Sequence, residues 1–301
     1  MKITSGILLY CLVLLGVTQL HAQEPPALQE AFAASWSTLD TEPQRSYTGR
    51  LWQNTKTDFT YGLRSVGHTY GRPLKWRGKQ WLTAGGIALG TVGLFLIEED
   101  VNPYFARQET KVPRLLDRFA FYFGKPQYNY GLTAGIYTVG LLTENPRMRR
   151  TGMVLIASAT AAGLIQTVSK TVLGRARPST GVGNSDFDFF NGTPDYHSFP
   201  SGHTVLAVVT AHALAKQTRN PWLKGGIYAV GAITPLSRLW TEAHWLSDVG
   251  LSVAISVVVV NTVDRFFTER TGSEYQRPER LRAFNWRPII TPGRLGVGAS
   301  F

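Results

Sequence analysis

Six apolar blocks, near residues 81–97, 128–142, 151–168, 204–215, 226–236 and 247–263, dominate this chain of 301 residues. Their Ala, Gly, Val and Leu content suits buried or membrane helices, and none alternates apolar with polar residues as a half-buried strand would. The sixth is rich in valine from Val257 to Val260, which alone would suit a strand. Its length and position favour a helix. The expectation is an all-α fold, a bundle with five or six apolar helices. Small residues such as Gly85, Gly86, Gly90, Ala157, Ala161 and Gly163 allow helices to approach closely. Several blocks are shorter than the about 20 residues that cross a bilayer. A tightly packed soluble domain therefore stays open beside a membrane-embedded one.

Charge separates the two. The formal net charge is +11, and the cations gather between blocks. Connector 143–150 carries Arg147, Arg149 and Arg150; connector 216–225 carries Lys216, Arg219 and Lys224; the tail after block six carries Arg265, Arg270, Arg277, Arg280 and Arg282. These stretches alternate with 168–203 and 237–247. If the blocks span, the basic stretches share the cytoplasmic side and the other two loops share the outer side. A soluble protein gives no reason for that alternation. One conflict remains in the count: with an exported N-terminus, either block one is re-entrant or peripheral, giving five crossings, or the region before it also crosses. The same pattern argues against nucleic acid, for which basic composition alone would be a cue.

The chain opens with Lys2, an apolar run from Ile7 to Val17 and a cleavage site ending at Ala22, which reads as a secretory signal over 1–23. A first membrane anchor is the other reading. Residues 24–79 form a lead in which aromatics between Trp52 and Trp76 alternate with Lys and Arg. It lies on a membrane or on the rest of the fold. The apolar domain runs over 80–268, with a basic tail over 269–301. The single cysteine, Cys11, falls in the signal, which excludes disulfides and thiolate chemistry from the processed chain.

Three short stretches carry chemistry. Lys170 and Arg177-Pro178 follow block three and supply fixed donors for an oxyanion, or merely a solvated flank. Pro200-Ser201-Gly202-His203 enters block four. Its hydroxyl and exposed N–H groups suit an anion, and its imidazole suits an acid, although Pro-Ser before a helix is also ordinary capping. Ser237-Arg238 precedes His244 and Asp248, spaced i, i+4. On a helix that spacing lets the carboxylate orient the imidazole as a nucleophile, or makes a surface pair. All three stretches lie in the two loops that charge places together.

Lys170-x6-Arg177-Pro178, Pro200-Ser201-Gly202-His203 and Ser237-Arg238-x5-His244-x3-Asp248 together resemble the three-part signature of the type 2 phosphatidic acid phosphatase (PAP2) family, whose site is shared with vanadium-dependent haloperoxidases. The resemblance covers about residues 80–268. It implies a helical bundle of the PAP2/haloperoxidase type with the site at one end. It also implies that His244 attacks phosphorus and forms a phosphohistidine while Asp248 orients it. His203 would protonate the leaving oxygen, and Lys170, Arg177 and Arg238 would bind phosphoryl oxygens with Ser201 and the Gly202 backbone. No metal and no cofactor is implied. The expected function is a phosphatase acting on a lipid phosphate or prenyl pyrophosphate at the outer face of the inner membrane. A soluble periplasmic acid phosphatase, a vanadate-dependent haloperoxidase and a non-catalytic lipid-phosphate binder are the alternatives.

Other residues receive lesser expectations. The loop Ser179–Phe199 is long, and its Phe187, Phe189, Phe190, Tyr196 and Phe199 either contact a lipid chain or pack on their own helices. Asp186 and Asp188 read as solvated. His197 is a candidate substrate contact, while His212 and His68 read as structural. Arg175 is either a lone surface arginine or a ligand for a second phosphate. The alternation from Arg294 to Phe301 receives no role.

Overall fold

The computed structural model describes residues 46–270 and, for the backbone, 285–291 and 294–300. The expected signal at 1–23 and most of the basic tail lie outside the described residues. Among the described residues, eight α-helices follow one another: α1 (Tyr47–Gly71), α2 (Gly78–Ala106), α3 (Arg114–Gly124), α4 (Pro126–Leu142), α5 (Pro146–Leu173), α6 (Gly202–Gln217), α7 (Pro221–Trp240) and α8 (Leu246–Arg270). Each apolar block became a helix, including the valine-rich sixth. The helices form the expected all-α bundle, and strands β1 (Asn285–Thr291) and β2 (Arg294–Ser300), which pair antiparallel with Ile289 opposite Gly296, follow it in sequence. The tail's weak alternation belongs to β2.

The helix ends are written locally. Asn145 caps α5 by accepting from the Met148 N–H, and Asn220 caps α7 by accepting from Trp222 and Leu223. Pro146 and Pro221 stand at the first helical positions, where no intrahelical N–H is needed. α5 stops at Gly174, whose φ of 53° is left-handed. A Cβ there would lie 1.6 Å from the Asp188 carbonyl oxygen, so only glycine fits. The chain leaves it paired with 186–188, through Ala176 N–H to Asp186 O (3.0 Å) and Asp188 N–H to Gly174 O (2.8 Å).

α5, α6 and α8 make the core. Val154, Leu155, Ala157, Ala161 and Ala162 of α5 meet Val205, Leu206 and Val209 of α6 and Val259, Val260 and Val263 of α8. α4 packs on α5, α7 on α6, and α2 on α8. α1 lies against α5: Tyr70 donates to Ala161 O (2.7 Å), and Asp58 pairs with Arg149 through two bonds of 2.9 Å. At the end of the bundle remote from the three motifs, Asp264 of α8 gathers Arg150 (2.7 Å) and Lys216 (3.2 Å). Two of the basic connectors and the end of α8 thus lie together.

Three described helices are long and apolar enough to cross a membrane, within Gly78–Lys111, Pro146–Leu173 and Leu246–Arg270. The expected five or six included blocks that form α4 and α6, of 17 and 16 residues, each below the about 20 needed. Large apolar side chains face outward on α2 and α7, where Leu82, Leu89 and Leu96 are 76, 75 and 73 % exposed and Trp222 is 88 % exposed.

Candidate active site

Lys170 stands on the last turn of α5, one turn before the glycine stop. Beyond it, Arg177 is held by its own loop: its Nε donates to Pro194 O (2.9 Å) and its backbone N–H to Asp195 O (2.9 Å). These bonds fix the guanidinium from behind and leave its remaining N–H groups for an anion.

α6 begins at the second motif. Ser201 is fully buried, and its Oγ accepts from the Thr204 N–H (3.4 Å) and bonds Thr204 Oγ1 (2.9 Å). Its hydroxyl is thus the helix cap, the plainer of the two readings from sequence. The first N–H groups of the helix, from Gly202 onward, have no intrahelical acceptor and carry the positive end of the helix dipole. A Cβ on Gly202 would come within 3.0 Å of Gln166 Oε1. His203 lies with its ring 5.3 Å from that of Phe121 on α3, and its Nε2 is buried without a hydrogen-bond partner. α3 comes this close because Gly124 is bare: a Cβ would sit 2.8 Å from His203 Cβ and from Thr234 Cγ2.

The third motif spans the end of α7 and the start of α8. Arg238 is 6 % exposed, bonded through Nε and Nη2 to Ser237 Oγ (3.1 and 2.9 Å), with its guanidinium 5.7 Å from the Phe121 ring centre. His244 is 2 % exposed and lies in the turn before α8, so the i, i+4 spacing is not one helix face. Its Nδ1 is 2.6 Å from the Ser198 carbonyl oxygen and 3.7 Å from Asp248 Oδ2. A carbonyl only accepts, so Nδ1 carries the proton and the neutral ring keeps its lone pair on Nε2. Asp248 reaches His244 mainly through Ser198: its Oδ2 accepts from Ser198 Oγ (2.5 Å) and from the Trp245 N–H (2.8 Å).

Each of these groups feels the others. Burial, then the charge of Arg238, the neighbouring His244, Lys170 and Arg177 push the His203 pKa down to about 3. Burial also holds His244 at about 4, with Asp248 pulling it up and Lys170 and Arg177 pulling it down. Both rings are therefore neutral near pH 7 in the free protein. Five elements, α5, the loop after it, α6, the end of α7 and the turn before α8, bring three cations and two neutral imidazoles to one place.

Other candidates fall elsewhere. His197 Nε2 bonds Asn191 O (3.0 Å) within its loop, and His212 lies between Tyr228 Oη (2.8 Å) and Asn261 Oδ1 (3.2 Å). Asp186 accepts from Tyr196 Oη (3.0 Å) and Asp188 from Asn191 (2.6 Å). Phe187 and Phe199 pack on Arg175, whereas Phe189 and Phe190 are exposed. Arg175 is 1 % exposed, neither a surface arginine nor free for a second phosphate. It is held by Glu98, Asp248 and Asn184 O. Glu98, Ser198, Phe121 and Gly124 escaped sequence reading. Of these, only Glu98 carried a signal, as a carboxylate at the end of an apolar block.

The family model described as PAP2 superfamily matches residues 151–271. The lipid A 1-phosphatase of Porphyromonas gingivalis is 29 % identical over 139 residues, covering 43 % of this chain and 28 % of that protein. The undecaprenyl-diphosphatase of Sulfolobus acidocaldarius is 32 % identical over 123 residues, 38 % of this chain and 54 % of its own length. The decaprenylphosphoryl-5-phosphoribose phosphatase of Mycobacterium tuberculosis is 31 % identical over 121 residues, 40 % of this chain and 63 % of its own. The chain thus spans less than two thirds of each of these curated relatives. Aquifex aeolicus LpxE, as a crystal structure, aligns with a TM-score of 0.41 at 19 % identity over 54 % of this chain and 92 % of that one. The region 151–271, which holds all three motifs, is thus similar to the PAP2 superfamily.

Proposed function

We propose that this chain is a membrane-bound phosphatase that hydrolyses a lipid phosphate or prenyl pyrophosphate through a phosphohistidine. The observation that carries the reading is the pair of buried imidazoles among Lys170, Arg177 and Arg238, one with its Nε2 unpartnered and the other with its Nδ1 tied to Ser198 O. His244 Nε2 attacks phosphorus, so a P–N bond forms as the P–O bond to the lipid breaks. The leaving oxygen takes a proton from His203. A water then gives its proton back to His203 as its oxygen bonds phosphorus and the P–N bond breaks, releasing inorganic phosphate. The three cations and the α6 N-terminus hold the phosphoryl oxygens throughout, and phosphoryl transfer depends chiefly on such positioning and charge.

His203 is neutral in the free protein, because burial and then the surrounding cations disfavour its charged form. A bound phosphate dianion offsets that charge, so His203 takes up its proton as the substrate enters. Metal ions are given no role in these steps.

Two observations support a lipid substrate. The exposed apolar faces of α2 and α7 suit a bilayer, which favours this reading over a soluble phosphatase. An apolar cavity of about 440 Å³ is lined by Leu115, Phe119, Tyr122 and Phe123 of α3 and by Leu132 of α4. Phe121, on the opposite side of α3, touches His203. A hydrocarbon chain in that cavity would leave its headgroup near the site. The related enzymes' names, which include a lipid A 1-phosphatase and an undecaprenyl-diphosphatase, agree with this class. The expected export signal and the basic far end support a site on the extracytoplasmic side.

The experiment is phosphate release by purified protein in detergent from a phospholipid monoester, a prenyl pyrophosphate and a soluble aryl phosphate. Turnover of either lipid that His244→Ala abolishes supports the reading. Turnover that survives the substitution overturns it.

A further inference from the structure

A buried ion-pair network stands behind the third motif, on the side away from the imidazole. Arg175 Nη2 meets Glu98 of α2, and its Nη1 donates to Asp248 Oδ1 (2.5 Å) and to Ser247 Oγ (2.9 Å). Its Nε and Nη2 also bond Asn184 O (3.0 and 2.9 Å). Phe95, Phe187, Phe199 and Trp245 surround the guanidinium, with ring centres 5.0–5.9 Å away. Glu98 Oε2 accepts from the N–H of Ser247 (3.0 Å) and from its Oγ (2.6 Å), so a carboxylate from α2 caps the first turn of α8. Both side chains are 1 % exposed. A buried pair of this kind is weak evidence for added stability, since desolvation offsets much of the attraction. Its geometry asks for another reason.

That reason lies in where the network ends. Asp248 spends Oδ1 on Arg175 and Oδ2 on Ser198 Oγ and the Trp245 N–H. Ser198, fixed by that bond, offers the carbonyl that accepts from His244 Nδ1. On the proposed phosphatase reading, we infer that Glu98 and Arg175 are positioning residues for the His244 nucleophile, acting through Asp248 and Ser198. Arg175 sets which carboxylate oxygen faces Ser198 and tempers the negative charge that His244 feels. Glu98 balances Arg175 and fixes the start of α8. The charged and titratable groups facing this assembly are Lys170 and Arg177 from the α5 side, His203 from α6, Asp248 from α8 and Glu98 from α2.

The signs of the two charge changes differ. Arg175→Gln leaves Asp248 and Glu98 uncompensated near His244, which favours its protonated form. The acid limb of the kcat profile, where His244 must be neutral, moves to higher pH. Glu98→Gln leaves Arg175 only one carboxylate, which disfavours protonated His244, and the limb moves to lower pH. A residue that served folding alone would move neither limb.

The test uses the full chain in detergent with a prenyl pyrophosphate, following phosphate release from pH 3.5 to 8. Inhibition by inorganic phosphate monitors the cationic cradle. We expect each variant to lose kcat by about 30-fold or more at little-changed KM, with opposite movements of the acid limb and an unchanged phosphate inhibition constant. Ser247→Ala takes one bond from each partner without leaving a charge unpaired. It should lower kcat by about three- to tenfold at unchanged KM, and its result decides if the charge variants fail to fold. Near-normal kcat in Ser247→Ala, or acid limbs that stay put or move together in the charge variants, overturns the inference. If wild-type protein releases no phosphate, or His244→Ala remains active, the phosphatase reading itself fails instead.

Discussion

At the scale of single residues, the decisive feature is which nitrogen of His244 is left over. The Ser198 carbonyl takes Nδ1–H, so Nε2 is the available lone pair. His244→Ala should lower kcat by about 10⁴-fold or more, and acid-labile phosphate trapped on the wild-type chain at short times should vanish with it. His203→Gln should slow a lipid phosphate by about 10²–10⁴-fold. In the first, phosphohistidine-forming turnover it should slow an aryl phosphate far less, since that leaving group needs no proton; equal losses in that step would deny His203 the acid role. Folding responds as well. The pKa values of both histidines fall from the ordinary 6.5 to about 3 and about 4. The unfolded chain therefore binds more protons than the folded one between those values and 6.5, and stability declines as pH falls through that window. Tm in detergent should drop from pH 6.5 toward pH 4, and a His203→Gln/His244→Gln double variant should flatten the slope. The eight proposed site residues were legible because fixed spacing within each motif survives in a lone sequence. Ser198 was not, because any residue would supply the carbonyl that meets His244, and the fold alone brings its hydroxyl to Asp248.

At the scale of elements, helix α3 decides the shape of the site, and nothing in sequence announced it. Its 11 residues lie between apolar blocks and mix aromatics with charge, so no block pattern marked them. One face bears Phe121 and Gly124 against His203, and the other lines the apolar cavity. Gly124→Ala should force α3 off α6 at a cost of about 1–3 kcal/mol and reduce kcat, which calorimetry and turnover would register together. Leu132→Trp should fill the cavity and raise KM for a long-chain substrate while sparing a soluble monoester. Parallel increases for both would remove the cavity from substrate binding. All six apolar blocks are helical because Ala-, Gly- and Val-rich runs of that length have few other folds, although three of the described helices, not five or six, are long and apolar enough to cross a membrane. Ser201 shows the opposite limit, since capping and anion binding ask for the same residue at the same place.

At the scale of the whole molecule, charge sorted the two ends before any coordinate did. Arg150 and Lys216 meet Asp264 at one end, and the three motifs meet at the other. The outward leucines of α2 imply that the protein stays with membranes through an alkaline wash and needs detergent for extraction; release by osmotic shock would contradict that. Helix α5 also serves as a ruler. It carries Arg150 near its start and Lys170 near its end, and twenty residues at 1.5 Å each make about 30 Å, the depth of a bilayer's hydrocarbon layer. On the proposed reading, α5 as a membrane span would set Arg150 at one boundary of that layer and Lys170, a proposed phosphate ligand, at the other. A lipid substrate in the same leaflet would then arrive with its headgroup already at the height of Lys170, and the search for the proposed site would reduce to diffusion in a plane.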